Sequence, residues 1–302
     1  MNGVRGIRWS SWVLGAASLV AVAGFSWPLV AIAVPRDAQA AVPIVALALV
    51  PALVVAVALV LDREMYSAHT VALLGMLTAI GSAVRIAGAG VGGVEVVFIV
   101  LILAGRAYGP HFGLMLGMLT IAMSSVLSGG LGPWTPFQAF ACGWVAAGAG
   151  LLPRIRLGAS RVSARLEILM LVGYGIIASY GFGLIMNLWF WPFAVGSGTG
   201  ISYLPGAPLG QNLASFGLYS FVTSTLTWDT VRAATSAVGI LLVGPAALAA
   251  LRRATLGRPA AGRARVRPRS TAPRGDGTRT HRSTAPDAVA TPPTVRRPSA
   301  RA

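Results

Sequence analysis

The sequence predicts an all-α membrane protein, a polytopic bundle of about eight transmembrane helices followed by a basic tail. Of its 302 residues, 55% are apolar and only 11% are charged, whereas soluble domains carry about 25% charged residues. The mean hydropathy is +0.73. Several stretches without a charged residue reach the roughly 20 residues that cross a bilayer. These observations exclude a soluble globular enzyme.

Eight apolar stretches make up the predicted bundle. Arg5 and Arg8 precede an apolar stretch that is too long for a signal-peptide core, so we expect an uncleaved N-terminal hairpin within 1–64. A six-helix domain follows over 65–251. The predicted spans are 11–34, 41–61, 68–87, 94–108, 110–128, 136–152, 167–190 and 230–251.

The arginine distribution predicts the orientation, because cytoplasmic loops are enriched in basic residues. With the N-terminus inside, eight spans leave only Arg36, Arg85 and Arg232 on the outer side. We therefore expect a multi-pass protein of the cell membrane with both termini cytoplasmic. The stretch 213–226 could be a ninth crossing, but that crossing would export the basic tail. We expect it to be an outer helix lying on the bundle.

The tail, 252–302, is predicted to be disordered and cytoplasmic because it is rich in Arg, Pro, Ser and Thr and has no aromatic residue. It holds 13 of the 24 basic residues and supplies +11 of the net charge of +16. The rest of the chain is nearly neutral, so we expect no nucleic-acid partner. The tail arginines favour anionic lipid headgroups of the bilayer, although a merely solvated tail is the alternative.

The residue types that catalysis needs are missing or scattered. The chain has no lysine, so it cannot form its own P-loop ATPase or a Schiff base. The single cysteine, Cys142, is predicted to be a small buried residue. His69, His111 and His281 are far apart, and none has a second ligand at helical spacing. We expect no enzyme, no cofactor and no metal site.

Two ionisable residues flank a glycine-rich loop at the predicted outer side. Arg85 ends the third span and Glu95 begins the fourth. Ionisable groups at membrane depth usually face the bundle interior or a cavity. Two interpretations stay open: the groups pair with each other or reach the headgroups, or they face a ligand.

The outer loop Gly-Pro-Trp-Thr-Pro-Phe-Gln at 132–138 combines a helix start with an exposed aromatic residue. With Thr135 as N-cap, Pro136 at N1 and Gln138 at N3, the pattern predicts a capping box. Trp134 has no part in that box. It is either a member of an interfacial aromatic belt or a surface on which a ligand stacks.

Further aromatic and polar residues lie at predicted outer helix ends. Trp189 and Trp191 end the seventh span, and Asn187 lies one turn inside them. A buried amide needs a partner, either another helix or a ligand. We expect Asp229 and Arg232 to form a local pair. The candidate substrate-binding residues are Arg85, Glu95, Trp134, Gln138, Asn187, Trp189 and Trp191.

Small side chains recur every four residues on the third span, at Gly75, Ala79, Ala83 and Ala87. Such stripes let helices approach closely in lipid. The stripe predicts contact either with a partner subunit or with another helix of the same bundle.

Residues 68–251, about 60% of the chain, resemble the substrate-specific, or S, component of energy-coupling factor vitamin transporters. The resemblance is carried by Ala79-x-x-x-Ala83, by Leu-Ala-Gly-Arg-Ala-Tyr-Gly-Pro at 103–110 and by the motif at 132–138. It implies a six-helix subunit that captures a vitamin or related small molecule outside; a cobalamin-like molecule is the leading guess. The partners that it implies are a transmembrane coupling subunit, contacted through the alanine stripe, and two ATPase subunits.

Two other classes of function remain open on the sequence. An ion-coupled secondary transporter would need an intramembrane carboxylate relay, which the scattered acids do not suggest. A membrane enzyme of lipid metabolism would need acidic or histidine groups at the membrane interface. A scaffold would leave the outer aromatic residues without a ligand. The hairpin and the tail are additions to the family pattern.

Overall fold

A computed structural model describes residues 3–30, 68–88, 94–153, 161–196 and 198–256 of the chain. Every regular element in these ranges is a helix. In chain order they are α1 (Gly3–Val30), α2 (Ala68–Ala87), α3 (Val97–Tyr108), α4 (Pro110–Leu127), α5 (Thr135–Leu151), α6 (Arg161–Ala194), α7 (Leu209–Ser220), a π-helix (Phe221–Asp229) and α8 (Thr230–Leu256). The predicted all-α class is confirmed for these residues.

Four helical segments are long and apolar enough to cross a membrane, namely Ala68–Ala87, Pro110–Leu127, Ser163–Ala194 and Leu209–Ala254. Gly15–Leu29 and Val97–Tyr108 are apolar but shorter. By length and composition, these helices are consistent with a membrane helical bundle. The predicted second span, 41–61, and the tail beyond Leu256 lie outside the described residues.

The last span differs from its prediction. The stretch 213–226 is not a separate outer helix, since α7 continues through the π-helix directly into α8. No proline or glycine interrupts Phe221–Asp229. Side-chain hydroxyls satisfy backbone carbonyls there: Thr223 donates to the carbonyl of Tyr219 and Thr230 to that of Thr225, both at 2.7 Å. Helix therefore persists where the sequence suggested a break.

Helices α3, α4 and α5 pack backbone against backbone. A Cβ atom on Gly105 of α3 would lie 1.9 Å from the carbonyl oxygen of Ala146, and one on Gly117 of α4 would lie 2.5 Å from the carbonyl of Cys142. Glycine is required at both positions because any side chain would push the helices apart. At Gly109, φ is +96°, which permits the tight turn between α3 and α4. We call these three helices the glycine slab.

One end of the bundle is tied by arginine. Arg106 of α3 donates to Glu167 of α6 at 2.7 Å and to the carbonyl of Leu152 at 2.7 Å. Arg252 of α8 donates to the same carboxylate oxygen of Glu167, also at 2.7 Å. This arginine end therefore joins the ends of α3, α5, α6 and α8.

At the opposite end, α6 carries a second, smaller hydrophobic cluster. Trp191 is fully buried there with Tyr203, Phe216 and Tyr219. The indole of Trp191 donates to the carbonyl of Ile201 at 2.7 Å. The segment between α6 and α7 is thus anchored to α6 by this indole.

Candidate functional site

A cavity of about 280 Å³ opens at the end of the bundle opposite the arginine end. Its polar lining comes from the C-terminal end of α2, the residues before α3, the end of α4 and the start of α5. Phe182 of α6 and Trp228 of the π-helix contribute aromatic walls. The lining includes Arg85, Glu95, Ile121, Ser128, Gln138, Cys142, Phe182 and Trp228.

Arg85 is held in this cavity by two neutral groups. Its guanidinium donates to the hydroxyl of Ser124 at 3.0 Å and to Oε1 of Gln138 at 3.1 Å. The side chain is half-buried. It forms no ion pair with any carboxylate of the described residues. The interpretation that Arg85 pairs with Glu95 is therefore wrong, and a positive charge faces the cavity.

The predicted capping box at the start of α5 is also wrong. The helix begins at Thr135 with Trp134 as its N-cap, and no side chain caps it. The hydroxyl of Thr135 accepts from the backbone N–H of Gly132 at 3.0 Å, and the amide of Gln138 contacts Arg85. Because the helix starts one residue earlier than the box requires, Gln138 is available to the cavity.

Glu95 also lines the cavity and belongs to a charged cluster. Its Oε1 accepts from Arg232 of α8 at 3.0 Å. Arg232 also donates to Asp229 at 2.6 Å, so the predicted local pair is confirmed. The guanidinium of Arg232 lies over the ring of Phe182, 4.8 Å from its centroid. Two carboxylates thus share one guanidinium, an arrangement that the sequence analysis did not foresee.

The remaining predicted binding residues do not line this cavity. Trp189 is buried and stacks on Phe137, with the ring centroids 4.3 Å apart. Asn187 donates to the hydroxyl of Ser220 at 3.0 Å, so its partner is another helix. Trp191 belongs to the second hydrophobic cluster described above. Trp134 is 44% exposed. A ligand role for these four residues stays a prediction.

Three residues that shape the cavity were not among the predicted binding residues. Ser124 orients Arg85, Phe182 forms a wall beneath Arg232, and Trp228 covers one side from the π-helix. Trp228 carried a sequence signal, since it is one of the tryptophans at predicted outer helix ends. Ser124 and Phe182 carried none, because helical sequence alone does not show which face of α6 meets α8.

The stripe on α2 lies on an open apolar groove of about 650 Å³ between α2 and α4. Gly75, Ala79, Ala83 and Ala87 are all exposed and line it. No other described helix covers these residues. The predicted span 41–61 lies outside the described residues, so contact with a partner subunit and contact with another helix of the same bundle both stay predictions for the stripe.

Within the described ranges, no three or more His, Cys, Asp or Glu side chains come together in a group that could hold a metal ion. No protein-family model, no curated protein and no solved structure matches this chain significantly.

Proposed function

We propose that this chain is a membrane-embedded substrate-binding subunit of an uptake transporter, and that it captures a small molecule in the cavity between Arg85 and Glu95. The observation that carries the proposal is a cavity within an apolar helical bundle in which Arg85 has neutral partners only. An arginine at membrane depth without a carboxylate is costly, and a ligand that supplies the negative charge would reduce this cost. Substrate binding is a function that offsets this cost.

The cavity size favours a small substrate. About 280 Å³ lies just below the roughly 300–1,000 Å³ of pockets for drug-sized ligands. A vitamin-like molecule with one ring system suits this volume. A cobalamin-like macrocycle does not, unless the cavity opens widely.

The exposed stripe on α2 supports assembly with a partner helix. Its small side chains allow close backbone approach in lipid. In an energy-coupling factor arrangement, the partner is the transmembrane coupling subunit, and two ATPase subunits supply the energy that a chain without lysine cannot obtain through a P-loop. The cavity then faces outward at the cell membrane and the arginine end faces the cytoplasm, in keeping with the excess of basic residues at that end.

The first experiment identifies the bound molecule. The full-length chain is purified from cells in a mild detergent, and small molecules are released by denaturation and identified by mass spectrometry. We expect one compound to accompany the wild type and the Arg253→Gln control, and to be absent from Arg85→Gln. The control makes the same charge change at an exposed site near the arginine end. Equal retention by Arg85→Gln would contradict a site built on this arginine.

The second experiment tests energy coupling with the compound so identified. In vesicles, the chain alone should not accumulate it, whereas the chain with its coupling subunit and ATPases should do so when ATP is present. Accumulation by the chain alone under a proton or sodium gradient would contradict the proposal.

A secondary transporter is the second candidate, and one observation favours it. Glu95, which lines the cavity, and the buried Asp229 share Arg232, and such carboxylates can exchange a proton or a cation during transport. Uptake that depends on an ion gradient and is lost in Glu95→Gln would support this candidate.

A further inference from the structure

Two opposite charges line the cavity, and they form no ion pair with each other. Arg85 contributes a positive charge without a described carboxylate partner. Glu95 belongs to a cluster in which it and Asp229 contribute two negative charges to the single positive charge of Arg232. That cluster therefore has a net charge of about −1 when its members are ionised. The cavity thus offers one positive and one negative group to a ligand.

The unneutralised negative charge lies at Glu95 rather than at Asp229. The side chain of Asp229 is 1% exposed, and its two oxygens accept from Arg232 and from Ser224. The side chain of Glu95 is 36% exposed, and only its Oε1 accepts a described hydrogen bond. Glu95 lines the cavity and Asp229 does not. Glu95 is thus the carboxylate that a ligand can reach.

Arg85 retains the donors that a carboxylate needs. Two of its N–H groups are engaged by Ser124 and Gln138, of the five that a guanidinium carries. Its planar fork matches the two oxygens of a carboxylate. The lining also includes apolar and aromatic side chains, among them Ile121, Phe182 and Trp228.

We propose that the substrate class is a small zwitterion of the amino-acid type. Its carboxylate binds Arg85, its protonated amine binds Glu95, and its apolar body packs against the aromatic walls. This inference rests on the proposed function, because it takes the cavity as the substrate site. A simple anion would leave Glu95 uncompensated and a simple cation would leave Arg85 uncompensated, so each would bind more weakly than the zwitterion.

The test uses two sets of matched compounds on the purified full-length chain in lipid nanodiscs. The first set is tryptophan, indole-3-propionate without the amine, and tryptamine without the carboxylate. The second is phenylalanine, 3-phenylpropionate and 2-phenylethylamine. Affinity is measured by calorimetry for the wild type, Arg85→Gln, Glu95→Gln and the control Arg253→Gln. Thermal unfolding without ligand establishes that each variant is folded.

We expect at least one zwitterion to bind roughly tenfold to a hundredfold more tightly than both of its single-charge counterparts, the effect of losing one hydrogen bond to a charged group. Arg85→Gln should remove the advantage of the zwitterion over the amine, and Glu95→Gln its advantage over the acid. Arg253→Gln should change neither.

Two results would overturn the zwitterion class. In one, neither zwitterion binds more tightly than both of its counterparts. In the other, Glu95→Gln strengthens binding of the zwitterion. Neither result depends on transport, so the proposed function stands or falls separately on uptake with the coupling subunit and ATP. Conversely, uptake that needs no ATP would overturn the proposed function and leave the ligand class intact.

Discussion

Replacement of Arg232 by methionine should destabilise the fold strongly, because it leaves Asp229 buried without a positive partner. Asp229 is 0% exposed and would retain only the hydroxyl of Ser224, at 3.0 Å. Breaking a buried ion pair from one side costs about 3–5 kcal/mol. Glu95 adds little to this cost, since its side chain is 36% exposed and can be hydrated.

The expected loss of stability can be converted into a shift of the melting temperature, Tm. For a chain of this length, each kcal/mol shifts Tm by roughly 2–4 °C, so Arg232→Met should lower Tm by roughly 6–20 °C. Intrinsic tryptophan fluorescence during heating in one detergent measures this shift. Methionine can keep apolar contact with Phe182. The change in Tm therefore reports mainly the loss of charge and not the loss of packing.

The double variant Arg232→Met/Asp229→Asn is the matched control. Asparagine keeps the shape of the buried side chain and can still accept from Ser224, but it carries no charge. We expect it to recover most of the lost Tm, because a neutral amide is far less costly to bury than a carboxylate. If the single variant melts within 2 °C of the wild type, or if the double variant is no more stable than the single one, the reasoning about the buried pair is refuted.

Three further predictions concern packing, assembly and topology. Gly117→Val should lower the stability by about 1–3 kcal/mol because its side chain would strike α5, whereas Gly173→Val, with nothing within 4 Å of its Cβ, should melt close to the wild type. Ala79→Trp should reduce ATP-driven uptake and leave ligand affinity unchanged, since it fills the groove on α2 away from the cavity; normal uptake would remove the stripe from the partner contact. In a cysteine-free background, a thiol introduced at Gly200 should react with an impermeant reagent on intact cells and one at Gly275 should not; the reverse pattern would invert the proposed topology.

The sequence predicted the ends of some helices closely, but not the continuity of the last one. The predicted span 68–87 coincides with α2 (Ala68–Ala87), and 110–128 is within one residue of α4 (Pro110–Leu127), because charges, glycine and proline end these helices. The span 230–251 was predicted as a separate helix, whereas α7 and α8 are joined through Phe221–Asp229. Threonine and serine are frequent in turns, but here their hydroxyls satisfy the helix backbone itself.

The candidate site was predicted only in part, because its partners come from distant parts of the chain. Arg85 and Glu95 were predicted as candidate binding residues because they are charged residues beside apolar spans, and both line the cavity. Their partners could not be read from spacing: Gln138 is 53 residues from Arg85, and Arg232 is 137 residues from Glu95. Whether Glu95 pairs with Arg85 or with Arg232 depends on which faces α6 and α8 turn towards the cavity. A hydrophobic sequence alone does not determine those faces.

The glycine slab has a mechanical consequence for access to the cavity. Because α3, α4 and α5 touch through their backbones, we expect them to slide or tilt as one body. Gln138 lies in α5 and Glu95 lies just before α3, so the distance between these two polar groups should stay nearly constant. The aromatic walls, Phe182 and Trp228, belong to other helices and meet the slab through side chains that can change rotamer. Widening of the cavity for a larger molecule would therefore come from displacement of α6 and the π-helix, with the slab as the fixed frame.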